Sequence, residues 1–380
     1  MRESFIEFYG KHKISPVRQD LTNILHHYER RGSLYRHLGI LSGLFTNKTI
    51  LEIGPGSGHN SLYIASLEPK LYHLVEGNPT GVQSIKKLFE KNNFNKSNYV
   101  VFESLIEDFN SELKYDIVLC EGMLPGLNDP VGTLLRIKEY VSQGGVLIIT
   151  CNDPISMLSE SIRHLIGQLL IWDLENIDEM LGILTPVFSK HLDLLSGVTK
   201  RYDDWIIDNI INPAGIGTTL SIAEAIDAIS DQFIIYSSSP KIFSDWRWYK
   251  QIFDDESKRI NSHVIEQYWS LVHSFIAYDR VFDQRDEKAN KILYRLCDDL
   301  RINIRYLRDI HDKSTLEEIK VLLKEITKEV NLFSTDVADA LSEVLSLLKS
   351  NHISIESVNK CINFARWFGR GQQYLSFTRG

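Results

Sequence analysis

Thr49-Ile-Leu-Glu-Ile-Gly-Pro-Gly-Ser-Gly-His-Asn60 sets a short apolar run against three glycines, Gly54, Gly56 and Gly58. The run has the length and character of a buried strand, and helix-compatible sequence begins at about Asn60. Between them the backbone must turn sharply. Glycines there remove Cβ atoms where the chain would otherwise clash or hold a ligand at a distance. The first turn of the helix beyond offers N–H groups with no partner inside the helix. A strand, a bare turn and a helix in that order describe one edge of a ligand crevice.

Working outward, the chain alternates short apolar segments with helical ones. Strands are predicted at Thr49–Ile53, Tyr72–Val75, Tyr99–Phe102, Asp116–Cys120 and Val146–Thr150. A helix is predicted over 131–142, with Val131, Leu134, Leu135 and Val141 on one face. Such alternation implies a parallel sheet wrapped on both faces. After residue 153 the rhythm becomes helical. Leu158, Ile162, Leu165 and Leu169 form an amphipathic stripe, and Ser221–Glu224 reads as a capping box. Gln232–Tyr236 reads as a sixth strand. Further stripes follow at Leu293, Leu296, Leu300, Ile304 and Leu307; at Leu316, Ile319, Leu323 and Ile326, opened by a box at Ser314–Glu317; and at Val337, Leu341, Val344 and Leu348. The last segment, Gln373–Thr378, alternates like a strand. The pair that completes the sheet is therefore predicted to be split, with the helical bundle inserted between its members.

Composition narrows the function classes. The 380 residues are 43% hydrophobic and 24% charged, as in globular proteins. A net charge of −8 gives no broad basic footprint for nucleic acid, so no nucleic-acid partner is expected. The opening Met-Arg-Glu-Ser-Phe-Ile lacks a signal-peptide core, and no run approaches the about 18 apolar residues of a membrane span. The four cysteines lie far apart without CxxC spacing, which suggests neither zinc nor a disulfide framework. The reading is a reduced, cytoplasmic protein.

The spacing of the turn separates two ligand classes. Dinucleotide enzymes use G-x-G-x-x-G, whereas this chain has G-x-G-x-G followed by His59. Glu76 ends the next strand, at about the separation expected between such a turn and its acidic partner, and a carboxylate there can accept hydrogen bonds from both hydroxyls of a ribose. Ser104, Leu105 and Ile106 follow the third strand, and Cys120-Glu121-Gly122 ends the fourth. With those landmarks in order, roughly residues 48–150 resemble the class I S-adenosylmethionine-dependent methyltransferases. The resemblance implies an α/β fold: a doubly wound, Rossmann-like methyltransferase sheet of seven strands with a large inserted helical domain. It implies S-adenosyl-L-methionine as cofactor. The cofactor-binding set is then Glu52, Gly54, Pro55, Gly56, Gly58, Glu76, Gly77, Ser104, Leu105 and Glu121, with the glycines at the methionine part, Glu76 at the ribose, Ser104 and Leu105 at the adenine and Glu121 near the sulfonium. The acidic side chain that the family uses at adenine is missing in register, since Glu103 and Glu107 only flank the place.

The organisation that follows is an N-terminal helical lid at 1–45, a cofactor-binding core at 46–152, a helical insertion at 153–217, more core at 218–250, a helical cap at 251–367 and a terminal strand at 368–380. Candidate bases are His12, His59 and Glu121, with one member of the His26-His27 pair as a further choice, because adjacent helical residues cannot face the same side. No metal is expected; Asn152-Asp153 reads as a turn before a helix. Asp245-Trp-Arg-Trp-Tyr-Lys250 is either a clamp for a sugar or anion, or an aromatic packing corner. The leading expectation is O-methylation of a small-molecule or glycan-type acceptor. Aminopropyl transfer on the same fold, or a non-catalytic binding or scaffold role, are the alternatives.

Overall fold

In the computed structural model, residues 5–12, 18–350 and 353–380 are described. Residues 1–4 and 13–17 of the expected N-terminal lid lie outside them. Two compact units emerge. The first comprises 1–152, 218–268 and 372–380, the second 153–217 and 269–371.

The first unit is built on seven strands: β1 (Thr49–Ile53), β2 (Leu71–Glu76), β3 (Tyr99–Glu103), β4 (Tyr115–Cys120), β5 (Val141–Cys151), β6 (Phe233–Ser239) and β7 (Gln373–Arg379). Their spatial order is β3-β2-β1-β4-β5-β7-β6. Strands β1 to β5 are parallel, and β7 runs antiparallel between β5 and β6. The split pair expected from the sequence is therefore present, with the helical region inserted between β6 and β7. Chain order reverses between β1 and β4. In an open parallel sheet that switch point leaves a crevice beyond the carboxyl ends of the strands, because neighbouring connections leave in opposite directions.

Helices cover both faces. On one face α2 (Ile24–His37), α3 (Ser61–Ser66) and α4 (Pro79–Lys91) bury Tyr35, Leu38, Leu62, Tyr63, Ile85 and Phe89 in one cluster with Ile50, Tyr72, Leu74, Leu119 and Ile148 of the strands. On the other, α5 (Pro130–Lys138) buries Leu134 and Ile137, and α9 (Ile222–Ile229) buries Ile222, Ile226 and Ile229. A short α1 (Phe5–His12) precedes them. The end of α2 is pinned to the antiparallel edge: Ser237 Oγ donates to the His37 carbonyl and Ser376 Oγ to that of Leu38, both at 2.8 Å.

Two expectations need correcting here. The helix placed at 131–142 ends at Lys138, and Val141 opens β5 instead, where it is fully buried. A single valine satisfies both periods, and strand pairing decided. The capping box at Ser221 forms, with Ser221 and Glu224 bonded reciprocally. The one at Ser314 does not, because Asp312 accepts from the N–H of Ser314 and starts a 3₁₀ turn before the helix.

The second unit is helical: α6 (Leu158–Leu170), α7 (Ile177–Leu192), α8 (Tyr202–Ile206), α11 (Glu287–Ile310), α12 (Leu316–Asn331), α13 (Thr335–Leu348), α14 (Ile355–Asn359) and α15 (Ile362–Arg366), with α10 (Asp255–Leu271) leading into it. The long stripes are its core, although Cys297 rather than Leu296 fills the buried position on α11. Arg163 of α6 is fully buried and donates to the carbonyls of Phe364 (3.1 Å) and Trp367 (2.7 Å) at the end of α15. Carbonyls at a helix end are short of partners within the helix, so one guanidinium staples the two segments.

Candidate active site

The glycine turn forms as its spacing requires. Gly54, Gly56 and Gly58 all have positive φ, at 69°, 60° and 78°. Crowding reinforces the conformational demand: a Cβ on Gly54 would lie 2.8 Å from Met123 Sδ, and one on Gly58 2.8 Å from Ile85 Cγ1. Pro55 is buried within the turn.

Glu76, the last residue of β2, reaches across to that turn. Its Oε2 accepts the N–H of Gly56 at 2.7 Å and its Oε1 that of Asn78 at 2.8 Å. Burial pushes the carboxyl up to about 7, against the pull of those backbone donors. A carboxylate has about four acceptor positions, and with the Gly77 N–H also drawn to it Glu76 keeps acceptor capacity for a ligand hydroxyl. Gly77 follows, and Asn78 caps α4 by accepting from Thr80 N–H. Inside α4, Gly81 is a residue that sequence reasoning missed. A Cβ there would sit 2.7 Å from the Gly56 carbonyl and 3.0 Å from Glu76 Cγ, so the helix approaches the turn only without a side chain. Next along the edge, Ser104 donates its N–H to the Glu76 carbonyl at 3.1 Å, and Leu105 is exposed beside it. A bare bend, a buried carboxylate facing it and an exposed apolar residue alongside fit an adenosyl group carrying no phosphate.

Glu121, past the end of β4, has company that the sequence did not announce. Arg31 Nη2 donates to both its oxygens, at 2.8 and 2.6 Å, and the Tyr35 hydroxyl donates to Oε1 at 2.7 Å. The Arg31 and Glu121 side chains are only 10% and 8% exposed. On β1, Glu52 is buried and accepts from the Tyr72 hydroxyl; burial raises it to about 7. His27, Arg31 and Tyr35 share one face of α2 at four-residue spacing. That regularity was the available signal, hidden because their partners lie far along the chain.

The histidines divide. His27 is buried, with its Nε2 3.0 Å from the His59 carbonyl, and burial lowers it to about 4; His26 is exposed. His59 stands beside the glycine turn, its Nδ1 accepting the backbone N–H of Gln19 at 2.8 Å. His12 ends α1 with its ring against Phe8, and among the described residues no hydrogen bond or ion pair joins it to the turn. Asp153 Oδ1 accepts the N–H groups of Ile155 and Ser156, both at 2.9 Å, which is turn geometry. The packing-corner reading of the Asp245–Lys250 cluster does not hold. Arg247 is paired with Asp245, and Trp246, Trp248 and Tyr249 are exposed, with Lys250 Nζ 5.3 Å from the Trp248 ring centre.

Residues 44–179, which hold β1 to β5, the glycine turn, Glu76 and Glu121, match the family described as a methyltransferase domain. Over that segment the chain is similar to methyltransferase domains. S-adenosylmethionine is the cofactor that methyltransferase domains of this kind use. A tRNA U34 carboxymethyltransferase of Campylobacter fetus subsp. fetus (strain 82-40) is 32% identical over 105 residues, covering 27% of this chain and 36% of the relative. The chain thus spans about a third of the length of the curated relative it matches. Among solved structures, PKMT2 from Rickettsia typhi in complex with AdoHcy is 17% identical, covering 64% of this chain and 49% of that one, with a TM-score of 0.44. The N-methyltransferase NodS from Bradyrhizobium japonicum WM9, in complex with S-adenosyl-l-homocysteine, is 18% identical over 33% and 62%, with a TM-score of 0.28. Among the described residues, no helix is long and apolar enough to cross a membrane.

Proposed function

We propose that the chain transfers a methyl group from S-adenosylmethionine to a hydroxyl of a small-molecule or glycan-type acceptor. The observation that carries the cofactor half is Glu76 facing the glycine turn, with its two oxygens on the N–H groups of Gly56 and Asn78. In this reading Gly54, Pro55, Gly56 and Gly58 take the methionine part, Glu76 and Gly77 the ribose, and Ser104 and Leu105 the adenine edge. Glu52 and Glu121 supply negative charge near the sulfonium, which Arg31 partly offsets. The cofactor supplies an activated methyl group and leaves as a neutral thioether.

An in-line displacement depends chiefly on orientation, and a hydroxyl acceptor also needs a base. Glu121 lies at the strand end nearest the switch point and serves as that base; His59 and His12 are the other candidates. Calorimetry with S-adenosylhomocysteine tests the cofactor half: micromolar binding supports it, and no heat overturns it. A fractionated cell extract incubated with S-adenosylmethionine bearing a tritiated methyl group tests the acceptor half. The Campylobacter relative, named for its action on tRNA, favours a second reading in which tRNA is the acceptor. Label in the RNA fraction rather than among small molecules selects it, against the net charge of −8.

A further inference from the structure

We propose that Tyr374, on β7, holds the methyl acceptor against Glu121, and that the acceptor is a polyhydroxylated molecule presenting two neighbouring oxygens. The inference deepens the methyl-transfer reading above and rests on it.

Register places the residues. Tyr374 lies opposite Thr150 of β5 on one side and Ser239 of β6 on the other. Cys120 of β4 pairs with Ile149, so Glu121 comes level with Thr150, and the Gly122 N–H donates to Thr150 Oγ1 at 2.7 Å. Glu121, Thr150 and Tyr374 therefore form a row across the strand tips. The Tyr374 ring packs against the cluster that holds Leu119, Ile148 and Tyr35, which is the face covered by α2.

Three tyrosines reach toward the carboxylates on this face, and they differ in one respect. The hydroxyl of Tyr72 donates to Glu52, and that of Tyr35 donates to Glu121. The charges around Tyr374 are Glu121, Arg31 and Arg30, yet no described residue hydrogen-bonds to its hydroxyl. A phenol beside an ion pair with no protein partner has its hydrogen bond left for a ligand or water, since such groups are rarely left unmet. Burial first, and the Glu121 charge second, push this phenol up to about 12, so it stays protonated and donates.

Glu121 is asymmetric in a matching way. Oε1 takes hydrogen bonds from Arg31 and Tyr35, whereas Oε2 takes only that of Arg31. Oε2 is thus the oxygen with room for an acceptor O–H. One hydroxyl of the acceptor gives its hydrogen bond to Oε2 while a neighbouring oxygen receives that of Tyr374. The reacting oxygen passes its proton to Oε2 as the carbon–oxygen bond forms and the carbon–sulfur bond breaks, the electron pair staying on sulfur. A phenol donor and a carboxylate acceptor in one row across the strand tips suit an acceptor rich in oxygens, such as a sugar or cyclitol.

The test uses the full chain and Tyr374→Phe, which keeps the ring in the cluster and removes only the hydroxyl. The probe is a defined panel of monosaccharides, nucleotide sugars and inositols with tritiated-methyl S-adenosylmethionine. The expected result is labelling of at least one panel member by the wild type. Tyr374→Phe should then show at least a tenfold lower kcat/KM, expressed mainly in KM, with S-adenosylhomocysteine affinity and unfolding midpoint unchanged. Equal labelling by the variant overturns the assignment. A parallel fall in midpoint and cofactor affinity also overturns it, because the hydroxyl would then be structural. Tyr35→Phe serves as the contrast and should lower the midpoint. A panel that stays unlabelled while S-adenosylhomocysteine binds overturns the acceptor class alone; absence of S-adenosylhomocysteine binding overturns the underlying reading.

Discussion

The glycine turn and the charged cluster beneath α2 lie on the same sheet edge but are held by opposite means. The turn is local: its geometry follows from three residues without side chains, and Glu76 meets it through backbone N–H groups. The cluster is assembled from distant parts of the chain, with Arg31 and Tyr35 on α2, Glu52 on β1, Glu121 after β4 and Tyr374 on β7. A backbone turn tolerates changes around it so long as its own residues stay small. A buried ion pair depends on its partner, because either half alone is a charge out of water. The first region is robust and legible; the second is specific and fragile.

That contrast can be broken most directly at Arg31. Arg31→Met leaves Glu121 buried without its cation, and a loss of about 3–5 kcal/mol in urea unfolding is expected. A loss below about 1 kcal/mol would show that the pair behaves like a surface one. At the turn, Gly58→Ala forces an L-residue into the left-handed region and against Ile85, at a cost of roughly 2–3 kcal/mol. S-adenosylhomocysteine affinity should fall with it, and an unaltered midpoint would contradict the crowding.

Glu76 sharpens the comparison through pH. Its carboxyl ionises near 4.5 when free and near 7 in the fold. Its contribution to stability is therefore fully present below pH 4.5 and is lost as pH rises through 7. Ribose hydroxyls that donate to the ionised form act in the other direction. S-adenosylhomocysteine affinity should rise about tenfold between pH 6 and pH 8 in calorimetry. Glu76→Gln should flatten that profile and leave the fold intact; a profile unchanged by the substitution would remove Glu76 from the ribose. The smallest effect belongs far from both regions. Ser221→Ala breaks a reciprocal cap and should cost about 1 kcal/mol with cofactor affinity unaltered.

Legibility followed the range of each interaction. Thr49–Ile53, the turn, Glu76 and the split pair of β6 and β7 could be read from the chain, because strand period and bare-turn spacing are local patterns. Val141 was misplaced since one apolar residue fits both a helix and a strand period, and the pairing of β4 with β5 chose between them. Ser314 failed as a cap because Asp312, two residues earlier, took its N–H. Gly81 went unnoticed because its reason lies across the crevice, at Gly56 and Glu76. Arg31 escaped notice as a site residue, since its spacing with His27 and Tyr35 names no partner and Glu121 lies far along the chain.

By itself the sequence determined the doubly wound class, the strand-turn-helix that opens the crevice and the acidic residue on the neighbouring strand. Those features depend on residue type and short spacing, which the chain carries wherever it folds. Tertiary structure alone decided that Glu121 would be held by Arg31 and Tyr35, that His59 would be tied to Gln19, and that the Tyr374 hydroxyl would be left over. The physical reason is that a polar group's role depends on which partners reach it after water is excluded. That choice is made only when helix and strands close on each other.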